Sequence, residues 1–271
     1  MTTDRHTDTI PGARAAAATT PATGQAFRRA AAGEWARLWT VRTTWWALAA
    51  TVVLMALVTG TFVYEAIAGT PEDLAVTTVG QFAFAMAEYG LIVIAMLAVT
   101  AEFSTGAIRA SLQWGPDRGV LLAARTTVVV AVVTLIAVLL VLASDLALWG
   151  LLRTTATVPQ LTAAELAVSA GRVGAVMAAS ALLTVGLGFA LRHAAGTLSV
   201  VFLLLFILPA SLIDTDVAWL RAFAQALPGA AVVSLLDVGE LITDVRAVLV
   251  LTAWSVAAMS LGTVAFLRRD A

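Results

Sequence analysis

The chain has 271 residues, of which 61% are hydrophobic and only 12% charged. Soluble domains carry about 25% charge, so the composition excludes an ordinary soluble domain and points to a polytopic helical membrane protein. With no cysteine and only two histidines, disulfides and thiolate metal sites are excluded, and a His-based zinc site or Ser-His pair is argued against. The net charge of −1 says nothing about partners, because the charges are sorted along the chain. All 16 basic residues are arginine, a mark of GC-rich coding more than of function.

Residues 1–26 are rich in Ala, Thr, Pro and Gly and have no apolar run. They read as a disordered cytoplasmic tail rather than a targeting segment. A six-span transmembrane domain is expected to fill residues 27–271. Residues 27–42 have a helical wheel with Phe27, Ala31, Trp35, Leu38 and Trp39 on one arc and Arg29, Gly33, Arg37 and Thr40 opposite. That pattern predicts an interfacial helix, tryptophan at headgroup depth and arginine toward phosphate.

Six apolar runs then reach the roughly 20 residues that cross a bilayer. They are expected at residues 45–63, 79–100, 126–149, 171–191, 196–213 and 246–267. Continuous rather than alternating hydrophobicity argues against a β-barrel. Between the runs lie an acidic loop at 64–78, a polar stretch at 101–125 and a loop at 150–169. Arg192 and His193 form a tight turn. Residues 214–244 are too polar for a span and read as one or two short helices dipping into the interface, broken at Pro228-Gly229.

Six spans put both termini on one side. The tail, residues 27–42, residues 101–125, the Arg192 turn and the C-terminus hold all the arginines except Arg153, Arg172, Arg221 and Arg246. The positive-inside rule makes that side the cytoplasm.

Within 101–125, AEFSTGAIRASLQWGPDRGVLLAAR, a helix from Glu102 would align Glu102, Thr105, Arg109 and Gln113 in one stripe. Gly106 lies beside the stripe, and Trp114-Gly115-Pro116 ends the helix. Periodicity alone leaves open whether this helix touches lipid headgroups or a protein partner. Glu88, near the middle of the second span, is a costly group that faces protein or water. It is either a pathway or dimer-interface group or a protonated acid bonded within the bundle. Asp145, nearer a span end, is expected to reach the outer interface. Arg172 and Arg246 are expected to anchor span ends. The glycines of the fourth span, Gly171, Gly174, Gly186 and Gly188, are expected to permit close helix packing.

GEWARLWTVRTTWW before the first span and AEFSTGAIRASLQWGPDRGVLLAAR after the second resemble segments of the membrane subunits of bacterial ATP-binding cassette (ABC) transporters of the type-2 exporter class. In that family a connecting helix carries a Glu-Trp-x-x-Leu core, here Glu34, Trp35 and Leu38, with Arg37 between. The loop after the second span carries Glu-x-x-x-Gly-x-x-Arg, here Glu102, Gly106 and Arg109, then Pro116 and Arg118. Relatives carry lysine near Arg37 and Arg125; arginine keeps the charge.

The resemblance implies an all-α membrane protein: six transmembrane helices, an N-terminal interfacial helix, a cytoplasmic coupling helix and a short helical insert before the last span. The coupling helix, with Glu102, Thr105, Gly106, Arg109, Gln113, Pro116 and Arg118, would dock on a separate cytosolic ATPase. Two permease copies, alike or different, would form the pathway in the bacterial cell membrane. The chain itself would be no enzyme and hold no cofactor; ATP and magnesium would sit on the ATPase. Without lysine the chain cannot carry a Walker A motif. The competing expectations are an ATPase-independent secondary transporter and a non-transporting immunity or sensing protein of the same fold.

Overall fold

A computed structural model describes residues 23–68, 75–105, 118–153, 161–212 and 215–268. These residues form helices and short connections, with no strand among them. The helices are α1 (Thr23–Thr40), α2 (Arg42–Ile67), α3 (Val76–Thr105), α4 (Arg118–Leu152) and α5 (Ala163–Leu191). They continue with α6 (Ala194–Phe202), α7 (Leu208–Leu212), α8 (Ala218–Gln225), α9 (Pro228–Leu235) and α10 (Asp244–Arg268). A wider π turn, Leu203–Ile207, joins α6 to α7 into one continuous rod.

Six of these helical units are long and apolar enough to cross a membrane: α2, α3, α4, α5, the α6–α7 rod and α10. All six expected spans are therefore present as helices, and most run further than expected. Hydropathy marks the thickness of hydrocarbon, not the end of a helix. The 35 residues of α4 extend about 52 Å at 1.5 Å per residue, well beyond a ~30 Å core. Residues 101–105 and 118–125 therefore belong to α3 and α4 rather than to a separate loop. Likewise residues 163–169, expected in a loop, are the first turns of α5. Thr162 and Glu165 close a reciprocal capping box there, which satisfies backbone donors at the helix start. At the N-terminus α1 begins at Thr23, four residues inside the expected tail. The rest of that tail, residues 1–22, lies outside the described residues.

α3 and α5 form the centre of the bundle. In their apolar stretches 67% and 61% of residues are buried, against 17–28% in the other four spans. α2 and α4 pack on one side of this pair, and α10 and the α6–α7 rod on the other. Small residues set the closest approaches. A Cβ on Gly90 would lie 3.1 Å from the Ala47 carbonyl oxygen of α2. A Cβ on Gly186 would lie 2.4 Å from the Ala258 carbonyl carbon of α10, and one on Gly262 would lie 2.4 Å from the Gly186 oxygen. The expected role of the α5 glycines thus holds for Gly186 and, against α3 and α4, for Gly188 and Gly174. It fails for Gly171, which has open space around it.

The insert before the last span is a hairpin. α8 follows the end of the α6–α7 rod, α9 leads back toward α10, and the two meet at a 69° bend. The α6–α7 rod runs back from the turn at the end of α5, and α10 starts where Asp244 meets Arg172 near the beginning of α5, so the pair enters and leaves at one end of the bundle and is re-entrant rather than a seventh crossing. Its corner is held from two sides. Trp254 of α10 donates its indole N–H to the Ala226 carbonyl at 2.9 Å. Gly229 packs on the backbone of Leu205, where a Cβ would lie 2.0 Å from the oxygen. Pro209, four residues on, has no N–H to donate to that carbonyl. α9 is almost wholly buried, and Ser234 ties off its exit by accepting from the backbone of Leu241 and Ile242.

Gly186→Ala should lower the melting temperature of the purified protein in detergent by several degrees. Overpacking of this kind costs about 1–3 kcal/mol. Gly171→Ala, with nothing to collide with, should leave it equal or higher, since alanine favours a helix over glycine by about 1 kcal/mol.

Candidate functional site

The strongest polar construction lies at the bundle end shared by α1, the end of α3 and the start of α4. Glu34, in the fourth turn of α1, is 6% exposed, and Arg125, in the third turn of α4, is 1% exposed. Arg125 donates from Nε at 3.0 Å and from Nη2 at 2.7 Å to one oxygen of Glu34, Oε1. The other oxygen, Oε2, lies 2.8 Å from Nη2 of Arg37, one turn along α1. Arg37 also donates to the backbone carbonyl of Ala98 in α3. One carboxylate thus collects two guanidinium groups and joins three helices. Charges this deep persist only when paired and hydrogen-bonded, and removing one member of such a set leaves the others uncompensated.

The wheel of residues 27–42 was organised by its aromatic arc. The structure turns α1 so that Glu34 and Leu38 face the bundle, while Trp35 is half exposed. Trp39 packs edge-on to Trp35 and is tilted against Trp45, whose indole N–H donates to the Trp39 carbonyl at 3.0 Å. That contact fixes the turn from α1 into α2, where Val41 alone breaks the helix. Arg125, expected at the end of a loop, is a buried residue of α4.

The same end of the bundle has a second brace. Arg192 closes α5 in the left-handed conformation, with φ 55°. Its Nη2 donates to the Ala265 carbonyl of α10 at 3.1 Å, and its guanidinium lies over the ring of Phe103 in α3 at 5.1 Å. Phe103, Phe189 and Phe266 meet edge-on or tilted beneath it. His193 caps the next helix by accepting the Gly196 N–H on Nδ1, an ordinary turn role. The last turns of α3 are therefore tied to α1 through Ala98 and to α5 and α10 through Phe103. The first turns of α4 are tied to α1 through Arg125.

Between these two braced ends lie residues 106–117. The expected coupling residues Gly106, Arg109, Gln113 and Pro116 are outside the described residues. Glu102 and Thr105 lie in the final turns of α3, and Arg118 opens α4, partly exposed.

Two polar sites lie deeper. Glu88 is 1% exposed in the middle of α3, and its Oε2 has no hydrogen-bond partner among the described residues. Asp145 corrects an expectation. It does not reach the interface but is fully buried, because α3 and α5 close over it. Oδ2 accepts from Ser169 of α5 at 2.9 Å, while Oδ1 presses on Gly80 of α3, where a Cβ would lie 1.8 Å away. Beside it, Ser144 and Thr59 share a hydrogen bond of 2.8 Å between α4 and α2. Nothing in the periodicity of α4 announced this cluster. Its signal is a glycine and a serine on two other helices, each unremarkable alone. At the same end Arg172 pairs with Asp237 at 3.0 Å and Asp244 at 3.4 Å, so it anchors the exit of the hairpin and the start of α10.

Among the described residues no group of three or more His, Cys, Asp or Glu side chains could hold a metal. A scan against protein-family models finds no match, and a search of curated proteins finds no similar sequence. The site therefore has to be read from its own geometry.

Ser169→Ala should lower stability by about 1–3 kcal/mol, since it leaves the Asp145 carboxyl buried with neither oxygen bonded. Gly80→Ala should cost at least as much. Both are measured by thermal unfolding in detergent; no change in either variant would contradict the burial of Asp145.

Proposed function

We propose that this chain is the membrane-spanning permease subunit of an ABC exporter of the type-2 class. On this reading it forms the pathway as a dimer and is driven by a separate cytosolic ATPase subunit that binds ATP and magnesium. It resides in the bacterial cell membrane with both termini in the cytoplasm. The observation that carries the reading is the Glu34 cluster. The glutamate of the Glu-Trp-x-x-Leu segment grips Arg125 and, through Arg37, reaches Ala98. It thereby braces both helices that flank residues 106–117, the segment that resembles a coupling helix.

A connector that only rested on lipid would need no such bracing. A segment that transmits force does, because a pull on 106–117 must move α3 and α4 rather than bend their ends. In this mechanism ATP binding draws two ATPase subunits together and displaces the coupling helices. The braced ends of α3 and α4 then move as a unit with α1, and the pathway between two copies rearranges. Glu88, buried in α3, is a candidate group at the pathway or the dimer contact.

The test is purification of the full chain together with its ATPase, followed by ATP hydrolysis in nanodiscs. Glu102→Lys and Arg109→Glu should abolish ATPase recovery or uncouple hydrolysis while the chain still inserts into the membrane. Normal assembly and transport by both variants would refute the coupling assignment. Transport with no ATP-hydrolysing partner would favour a secondary transporter.

A further inference from the structure

α8 presents three faces, and only one is covered by the described residues. At about 100° per residue, Leu220, Ala224 and Leu227 share one arc, and of these Ala224 and Leu227 are fully buried. Trp219 and Phe223 lie on a second arc, with Ala226 beside them. Trp219 is 70% exposed and Phe223 49% exposed. Arg221 and Gln225 lie on a third, roughly opposite the tryptophan. Arg221 is exposed and donates to the Thr215 carbonyl at 2.8 Å. Arg246, at the start of α10, reaches Gln225 on the same side at 3.4 Å.

A helix in water has no use for an exposed Trp-Phe face, and a helix inside hydrocarbon has none for an arginine face. A helix lying flat against the flank of a membrane bundle needs both, separated by the side that touches the bundle. The depth agrees. The corner of the hairpin meets Leu205, seven residues before the end of the α6–α7 rod, or about 10 Å below it. α8, about 12 Å long, therefore descends along the rod from the end of the bundle to that level, through the depth of the headgroup–acyl boundary. The adjoining rod also exposes apolar side chains, at Phe206 and Ile207.

We propose that α8 is a lipid-binding helix of the leaflet at this end of the bundle. Trp219 and Phe223 sit among the upper acyl segments of phospholipids, and Arg221 and Arg246 meet their phosphates. The bilayer is thereby coupled to the buried α9, because α8 and α9 share the corner held by Trp254. This inference needs only that the six helices span a bilayer; it does not depend on the transport reading.

The chain has no cysteine, so single spin labels can be placed without removing any residue. Trp219→Cys, Arg221→Cys, Phe223→Cys and Ala226→Cys would be made in the full chain, labelled, and reconstituted in vesicles of phosphatidylcholine and phosphatidylglycerol. Ala226→Cys covers the aromatic face if replacing an aromatic residue perturbs folding. Collision with oxygen, which concentrates in lipid, is compared with collision with a water-soluble nickel chelate. The oxygen-to-nickel ratio should be several-fold higher at positions 219, 223 and 226 than at 221. Equal access of the chelate to all four would overturn the proposal by placing α8 in water. Shielding of 219, 223 and 226 from both reagents would overturn it by placing protein, such as a second copy, on that face.

Discussion

Glu34 is the point on which one end of this molecule depends. A single carboxylate accepts two hydrogen bonds from Arg125 and pairs with Arg37, which in turn reaches Ala98. Ions taken out of water are costly, and they are held here only because each is compensated by the others. The consequence is mechanical. α1, whose Trp35 is half exposed, becomes part of the same rigid unit as the ends of α3 and α4. Arg192 does similar work at the ends of α5 and α10, through the Ala265 carbonyl and the face of Phe103.

The opposite end is built differently. Its buried polar contacts are single hydrogen bonds, Asp145 with Ser169 and Thr59 with Ser144, sealed by an apolar layer that includes Val76, Val79, Leu148 and Leu152, while Arg172 pairs with Asp237 and Asp244 nearer the surface. Beside them the re-entrant hairpin brings backbone against backbone at Gly229 and Leu205. One end of the bundle is thus braced by buried charge, and the other by buried hydrogen bonds, close packing and an exposed ion pair. Between them α3 and α5, the two most enclosed spans, carry the buried Glu88 and the glycine contacts. Residues 106–117 lie between the two helix ends that the Glu34 cluster ties to α1, and on the proposed reading an input there reaches α3 and α4 together.

The spans were legible in the sequence because hydrophobic length is a direct physical requirement of the bilayer. So was the break at Pro228-Gly229, since proline at the start of a helix and glycine against a backbone are both local facts. The ends of helices were not legible, because α4 continues past the hydrocarbon at both ends with residues such as Arg118 and Arg125 that hydropathy assigns to loops. Partners were the least legible. Glu34 was visible as part of a short motif, but its contact with Arg125 joins residues 91 positions apart, and no periodicity within α1 or α4 encodes it. Asp145 was misplaced for the same reason: its depth is set by Gly80 and Ser169, on helices whose packing a single sequence does not display.

The central claim is that Glu34 and Arg125 act as one interaction that binds α1 to α4. A double-mutant cycle with Glu34→Gln and Arg125→Met, read by unfolding in detergent, tests it most directly. Each single change should destabilise the protein by about 3–5 kcal/mol. The double variant should fall short of the sum by at least about 1 kcal/mol, as residues in direct contact do. Additive losses, or single variants as stable as the parent, would contradict the account.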